Sequence, residues 1–282
     1  MEIIDTHVHV WDLDRAEYSW LKNDRSVLNN TWKIEQLETE RKQAGITAGV
    51  LVQASGNFED TELMLETAYK TDWIRGVVGW LPLKNTEATQ QLLEKRFLEE
   101  KYFKGIRHQV HDEKDPHWLL QPAVIESLKV LAAHNIPYDV VAVLPVHIEA
   151  ALDVAKQVPG LRMVFDHLSQ PPIATQERFG KWGELMKAAS GHKNFYAKIS
   201  GLGTASGNFE DRAPDEIKPY IEFVLQHFGI DRCFCGGDWP VSLLAHSYGD
   251  TWKTYKDVLA ELVTREEQEK IFYTNAKRFY NL

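Results

Sequence analysis

A single closed (β/α)8 barrel, the TIM fold, is predicted over residues 1–282 by three observations. Short apolar runs alternate along the chain with amphipathic stretches whose apolar positions recur at helical spacing. No low-complexity tract or long linker divides them, so regular βα alternation implies a parallel sheet with right-handed crossovers. A length of 282 residues suits one such barrel with little decoration. An open doubly wound sheet is the structural rival, but it usually opens on a glycine-rich first turn, and Asp5–His9 contains no glycine.

Taken in order, the first strand is expected over Glu2–His7, where Ile3-Ile4 leads into Asp5-Thr6-His7-Val8-His9. A loop from Val10 to about Trp32 follows, with Trp11, Tyr18, Trp20 and Trp32, and is too aromatic to read as disorder. The first helix falls near Ile34–Gln43 and the second strand at Ala48–Gln53. Helix, strand and helix are then expected at Thr61–Thr71, Gly76–Leu81 and Thr89–Glu99, and the fourth strand at Phe103–Arg107. Pro122–His134, Tyr138–Ala142, Val146–Gln157, Arg162–Phe165 and Phe179–Ala189 continue the alternation. The seventh strand is Phe195–Ile199, and Pro214–Phe228 places a proline in a first helical turn, where its missing N–H is no loss. Arg232–Cys235 is the eighth strand, followed by helices at Trp252–Val263 and Arg265–Phe279, the last opened by Thr264 with Glu267 three residues on.

The net charge of −9 argues against nucleic acid or an anionic membrane as partner and favours a small-molecule substrate. No leader pattern or membrane-length apolar stretch is visible, so a cytoplasmic protein is expected, as monomer or homodimer. The two cysteines, Cys233 and Cys235, are too close for ordinary disulfide geometry and read as core thiols.

In such a barrel the C-terminal strand ends converge on one pocket. His7 and His9 lie two apart on one strand and share a face. Gln53, Trp80, Arg107 and His108, with His111 just beyond, end strands two to four. His167 follows strand six, Lys198 and Ser200 strand seven, and Asp238 strand eight. A purely structural barrel has little reason for such a ring of ionisable groups, which are costly to desolvate without partners. Bland alternatives stand beside each: Asp238 after two glycines is also turn chemistry, Arg107 could tie loops, Gln53, Lys198 and Ser200 could satisfy backbone, and Trp80 could pack the barrel. His117, His134, His147, His192, His227 and His246 fall on helices or remote loops and are set aside.

The combination of Asp5-Thr6-His7-Val8-His9-Val10-Trp11-Asp12, Tyr18-Ser19-Trp20-Leu21, Gly105-Ile106-Arg107-His108, Phe165-Asp166-His167-Leu168, Lys198-Ile199-Ser200-Gly201-Leu202 and Gly237-Asp238-Trp239-Pro240 resembles the amidohydrolase-2 branch of the amidohydrolase superfamily. Within that branch it is most similar to sugar-lactone hydrolases for fuconolactone or rhamnonolactone, with 2-pyrone-4,6-dicarboxylate lactonases as cousins. The resemblance implies catalysis by Asp238, His167, His9 and His7, with Asp238 shuttling the proton. It implies substrate contacts from Arg107 and His108, joined by His111, Gln53, Trp80 and Trp32. Strand four has no lysine at its end and strand five no histidine, which argues against the binuclear centre of the larger superfamily. One zinc ion on His7, His9, His167 and Asp238 is expected, with no organic cofactor. Alternatives are a pyrone-dicarboxylate lactonase or related decarboxylase and, from another class, a catalytically silent small-sugar binding barrel.

Overall fold

The computed structural model describes residues 1–206 and 214–282. Its eight strands are β1 (Ile4–Val8), β2 (Ala48–Val52), β3 (Ile74–Gly79), β4 (Phe103–His108), β5 (Tyr138–Val140), β6 (Met163–Phe165), β7 (Phe195–Ile199) and β8 (Cys233–Cys235), hydrogen-bonded in the order 1 to 8. Every neighbouring pair is parallel. The strands are buried on both faces, which is why they read in the sequence as near-continuous apolar runs. Just beyond β8 the barrel closes onto β1. Asp238 N donates to His7 O at 2.7 Å, His9 N to Trp239 O at 2.7 Å, and Thr6 Oγ1 to Cys235 O at 2.7 Å.

The described helices are α1 (Glu38–Gln43), α2 (Phe58–Lys70), α3 (Thr86–Leu92), α4 (Pro122–Ala133), α5 (Pro145–Gln157), α6 (Gly180–Ser190), α7 (Leu202–Ala205), α8 (Pro214–Phe228), α9 (Tyr248–Leu262), α10 (Arg265–Glu269) and α11 (Asn275–Tyr280). Three begin three or four residues ahead of the sequence expectation, for one reason. Asn57, Asn85 and Ser247 accept from the backbone N–H of Asp60, Ala88 and Asp250 and so cap α2, α3 and α9 before their apolar pattern starts. The expected Thr264–Glu267 capping box is formed. The helix expected over Arg265–Phe279 is present as an unbroken helical run to Tyr280, in which a π-helical stretch at Lys270–Thr274 joins α10 to α11. Among the described residues no helix is long and apolar enough to cross a membrane.

Cys233 and Cys235 are free and buried, and burial pushes the Cys233 thiol up to about 12, as befits core thiols. The long loop after β1 is pinned rather than loose. Trp11 and Trp32 exchange backbone hydrogen bonds of 3.0 and 2.9 Å, Trp20 Nε1 donates to Ala54 O, and Tyr18 Oη donates to buried Asp60. Trp11, Tyr18, Leu21, Leu28 and Ala54 make a small core of their own at the barrel mouth.

Candidate active site

The strand ends build the site from main-chain geometry. Asp5 Oδ1 accepts from Gly237 N at 2.8 Å and His7 N at 2.9 Å, while Oδ2 accepts from Tyr248 Oη at 2.7 Å. Burial pushes this carboxyl up to about 6 against those donors, so Asp5 is a brace between the first and last strands. Asp238 has a left-handed φ of 58°. On the far side, His167, Leu168, Ser169 and Gln170 are all left-handed, with φ between 50° and 58°, and this turn swings His167 back over the barrel. Gly201 leaves room between them: at its φ of +59°, a Cβ would stand 2.5 Å from His167 Nδ1 and 3.1 Å from Asp238 Oδ2.

His7 Nε2 and His9 Nε2 are 3.1 Å apart, and Asp238 Oδ1 lies 3.7 Å from the first and 3.4 Å from the second. His9 Nδ1 is 2.7 Å from Val52 O, a group that only accepts, so the proton sits on Nδ1 and Nε2 presents its lone pair. Burial lowers His9 below the usual imidazole range in spite of Asp238, and lowers His7 further, with Lys198 adding to burial and Asp166 opposing it. A lone pair therefore faces a carboxylate oxygen, an arrangement that calls for a shared proton or a cation. The three separations bracket the edge of about 3.4 Å expected of a tetrahedron with bonds of about 2.0–2.1 Å. His7, His9 and Asp238 thus fit one divalent ion. His167 lies in an adjoining group with His7 and Asp166. Its Nδ1 is 2.9 Å from Ser200 Oγ and 4.0 Å from Asp238 Oδ2.

Beneath the site runs a charge network that the sequence reading did not assemble. Lys198 Nζ is 2.7 Å from both Asp139 Oδ2 and Asp166 Oδ1 and 3.2 Å from His7 Nδ1. Tyr280 Oη also donates to Asp139 at 2.7 Å. Burial raises Asp139 to about 6, with Lys198 pulling it down. Asp166 is held well below the usual carboxylate range because Lys198, His7 and Arg107 together overcome its burial. Arg107 donates from Nε to Gln53 Oε1 at 2.9 Å, from Nη1 to Asp166 Oδ2 at 3.2 Å and from Nη2 to Gln53 O, and Nη1 also lies 3.1 Å from His7 Nε2. Three of its five N–H groups are thereby engaged by Gln53 and Asp166.

Above these groups opens a cavity of about 220 Å³. Trp11, Trp20, Ala54 and Val241 supply aromatic and apolar wall, Gln109, His111, Asp112, Gln170 and Thr204 polar wall, and His9, Arg107, His167 and Asp238 also reach it. Of the expected substrate contacts, Arg107 and His111 are on this wall and four residues are not. Gln53 is fully buried behind Arg107. His108 stacks on Trp118 at 3.9 Å between ring centroids, with Nε2 2.8 Å from Glu113 and Nδ1 accepting from Trp80 Nε1. Trp80 meets Phe58 edge to face, and Trp32 does the same with Trp239. Trp11 and Trp20 take the place on the wall that Trp32 was expected to fill.

An eight-stranded parallel barrel with imidazoles and a carboxylate at its C-terminal mouth is the architecture of a barrel hydrolase. The chain belongs to the amidohydrolase family, whose profile matches residues 4–282. It is 31% identical to the L-fucono-1,5-lactonase of Burkholderia ambifaria, over 99% of this chain and 95% of that one. It is 23% identical to the L-rhamnono-gamma-lactonase of Scheffersomyces stipitis, over 77% and 72% of the respective chains. A crystal structure of an amidohydrolase from Burkholderia multivorans with bound zinc superposes with a TM-score of 0.89 at 26% identity, covering 100% of both chains.

Proposed function

We propose that this protein hydrolyses the ring ester of a small, uncharged sugar lactone of the fucono- or rhamnonolactone kind, giving the aldonic acid. The observation that carries the proposal is the cavity itself: His9, His167 and Asp238 lie beneath an aromatic wall and a polar wall suited to the two faces of a sugar ring. The full-length likeness to a fuconolactonase supports it. A dicarboxylate lactone, or decarboxylation of a carboxylate substrate, needs cationic partners, and Arg107 already has three of its five N–H groups taken by Gln53 and Asp166. A silent binding barrel would have no use for a lone pair set against a buried carboxylate.

In the proposed reaction, Asp238 takes a proton from water as the water oxygen bonds to the lactone carbonyl carbon. The tetrahedral centre then collapses with cleavage of the bond to the ring oxygen, and Asp238 returns the proton to that oxygen. Arg107 lies beside the developing negative charge, held rigidly by Gln53 and Asp166. His167, fixed by Ser200, borders the same space as Asp238. His7, His9 and Asp238 would hold one zinc ion, which when bound supplies Lewis-acid polarisation of the carbonyl.

The test is a panel of five- and six-membered aldonolactones, followed by proton release, with metal content measured before and after chelation. Turnover well above spontaneous opening is expected, falling with zinc content. Absence of turnover across the panel defeats the lactonase reading. Full activity at well under one equivalent of any divalent metal defeats the zinc assignment alone.

A further inference from the structure

One wall residue has no task in this chemistry. Asp112 ends the short turn Val110–Asp112 that follows β4, and its side chain is about half exposed on the cavity wall. Among the described residues no hydrogen bond reaches its carboxylate, and its one ion-pair contact is His111 Nε2 at 3.6 Å. Burial lowers His111 below the usual imidazole range, although Asp112 works against that shift, so the imidazole is uncharged near neutral pH and leaves the carboxylate its charge. An ionised carboxylate with free lone pairs is a strong acceptor for a sugar hydroxyl and repels a substrate carboxylate placed against the same wall. The cation on the same wall, Arg107, is largely satisfied within the protein by Gln53 and Asp166.

We infer that Asp112 is a specificity-determining residue: it accepts a hydroxyl of the neutral lactone and excludes lactones that carry a carboxylate at that position. This rests on the lactonase reading above.

The experiment compares the parent with Asp112→Asn and Asp112→Glu on galactono-1,4-lactone and on galactaro-1,4-lactone, which replaces a terminal hydroxymethyl group by a carboxylate. Binding of galactonate and galactarate is followed in parallel by the fluorescence of the wall tryptophans. The parent should favour the neutral lactone in kcat/KM by at least about a hundredfold. Asp112→Asn should shrink that preference at least about tenfold and tighten galactarate relative to galactonate by a similar factor, while Asp112→Glu keeps the parent's ratio. Ratios within about twofold of the parent in Asp112→Asn overturn the inference. If the parent opens no lactone the reaction assignment fails, and the galactarate-to-galactonate binding ratio still decides the role of Asp112.

Discussion

Replacing Lys198 by methionine removes the one ammonium between two carboxylates. Asp139, Asp166 and Lys198 are all at most 1% exposed, and both oxygen contacts are 2.7 Å. Two cations, Lys198 and Arg107, balance two anions, Asp139 and Asp166, so the substitution strands a net negative charge in the barrel. Breaking a buried pair from one side costs about 3–5 kcal/mol. At roughly 2–4 °C per kcal/mol for a chain of this size, Tm should fall on the order of 10 °C. The loss also has a pH signature. Asp139 already sits at about 6 in the folded protein, above the value of 3.8 for a free side chain, and loses its lowering partner. A carboxyl whose folded pKa exceeds its unfolded one binds more protons when folded, so stability rises as pH falls through the folded value. The Tm gap between Lys198→Met and parent should therefore be smaller at pH 5 than at pH 8, and adding Asp139→Asn should recover part of it. Differential scanning calorimetry across that range decides the matter. A gap under about 2 °C, or one that does not change with pH, refutes the reasoning.

Asp238→Asn should lower kcat by at least about two orders of magnitude with Tm preserved, and near-parent turnover in the folded variant would remove Asp238 as the proton shuttle. Gly201→Ala forces a methyl group against His167 Nδ1 at a positive φ, so a soluble protein with kcat down on the order of a hundredfold is expected. Parental kinetics there would show that His167 has room to move. His134→Ala and His227→Ala should leave kcat unchanged, since one imidazole lies 3.7 Å from Glu94 and the other packs on Phe223, away from the cavity. A large loss with stability intact would relocate the site.

The barrel was legible because most strand residues are buried on both faces, and the paired imidazoles because residues two apart on a strand share a face. Trp32 misled because four aromatics in one loop look alike in sequence. In the structure Trp32 meets Trp239 edge to face, while Trp11 and Trp20 line the cavity. His108 and Gln53 stand at strand ends as expected, but their partners, Glu113, Trp118 and Arg107, take them up. The Asp139–Lys198 pair had a signal that went unread. Each is a lone charge inside an apolar strand, and a charge so placed needs an opposite one across the barrel.

The seam between β1 and β8 gives the site an order of assembly. His7 and His9 leave the ribosome long before Asp238, and the neighbouring Asp5 and Thr6 gain their closing hydrogen-bond partners 232 and 229 positions later. Until the last strand arrives, the nascent chain holds half a site, with two adjacent imidazoles and no carboxylate opposite them. Contacts of such long sequence separation form late and slowly. Hydrolytic competence should therefore appear as one of the last events of folding, and a chain stalled before Asp238 should have none, however complete the rest of the barrel has become.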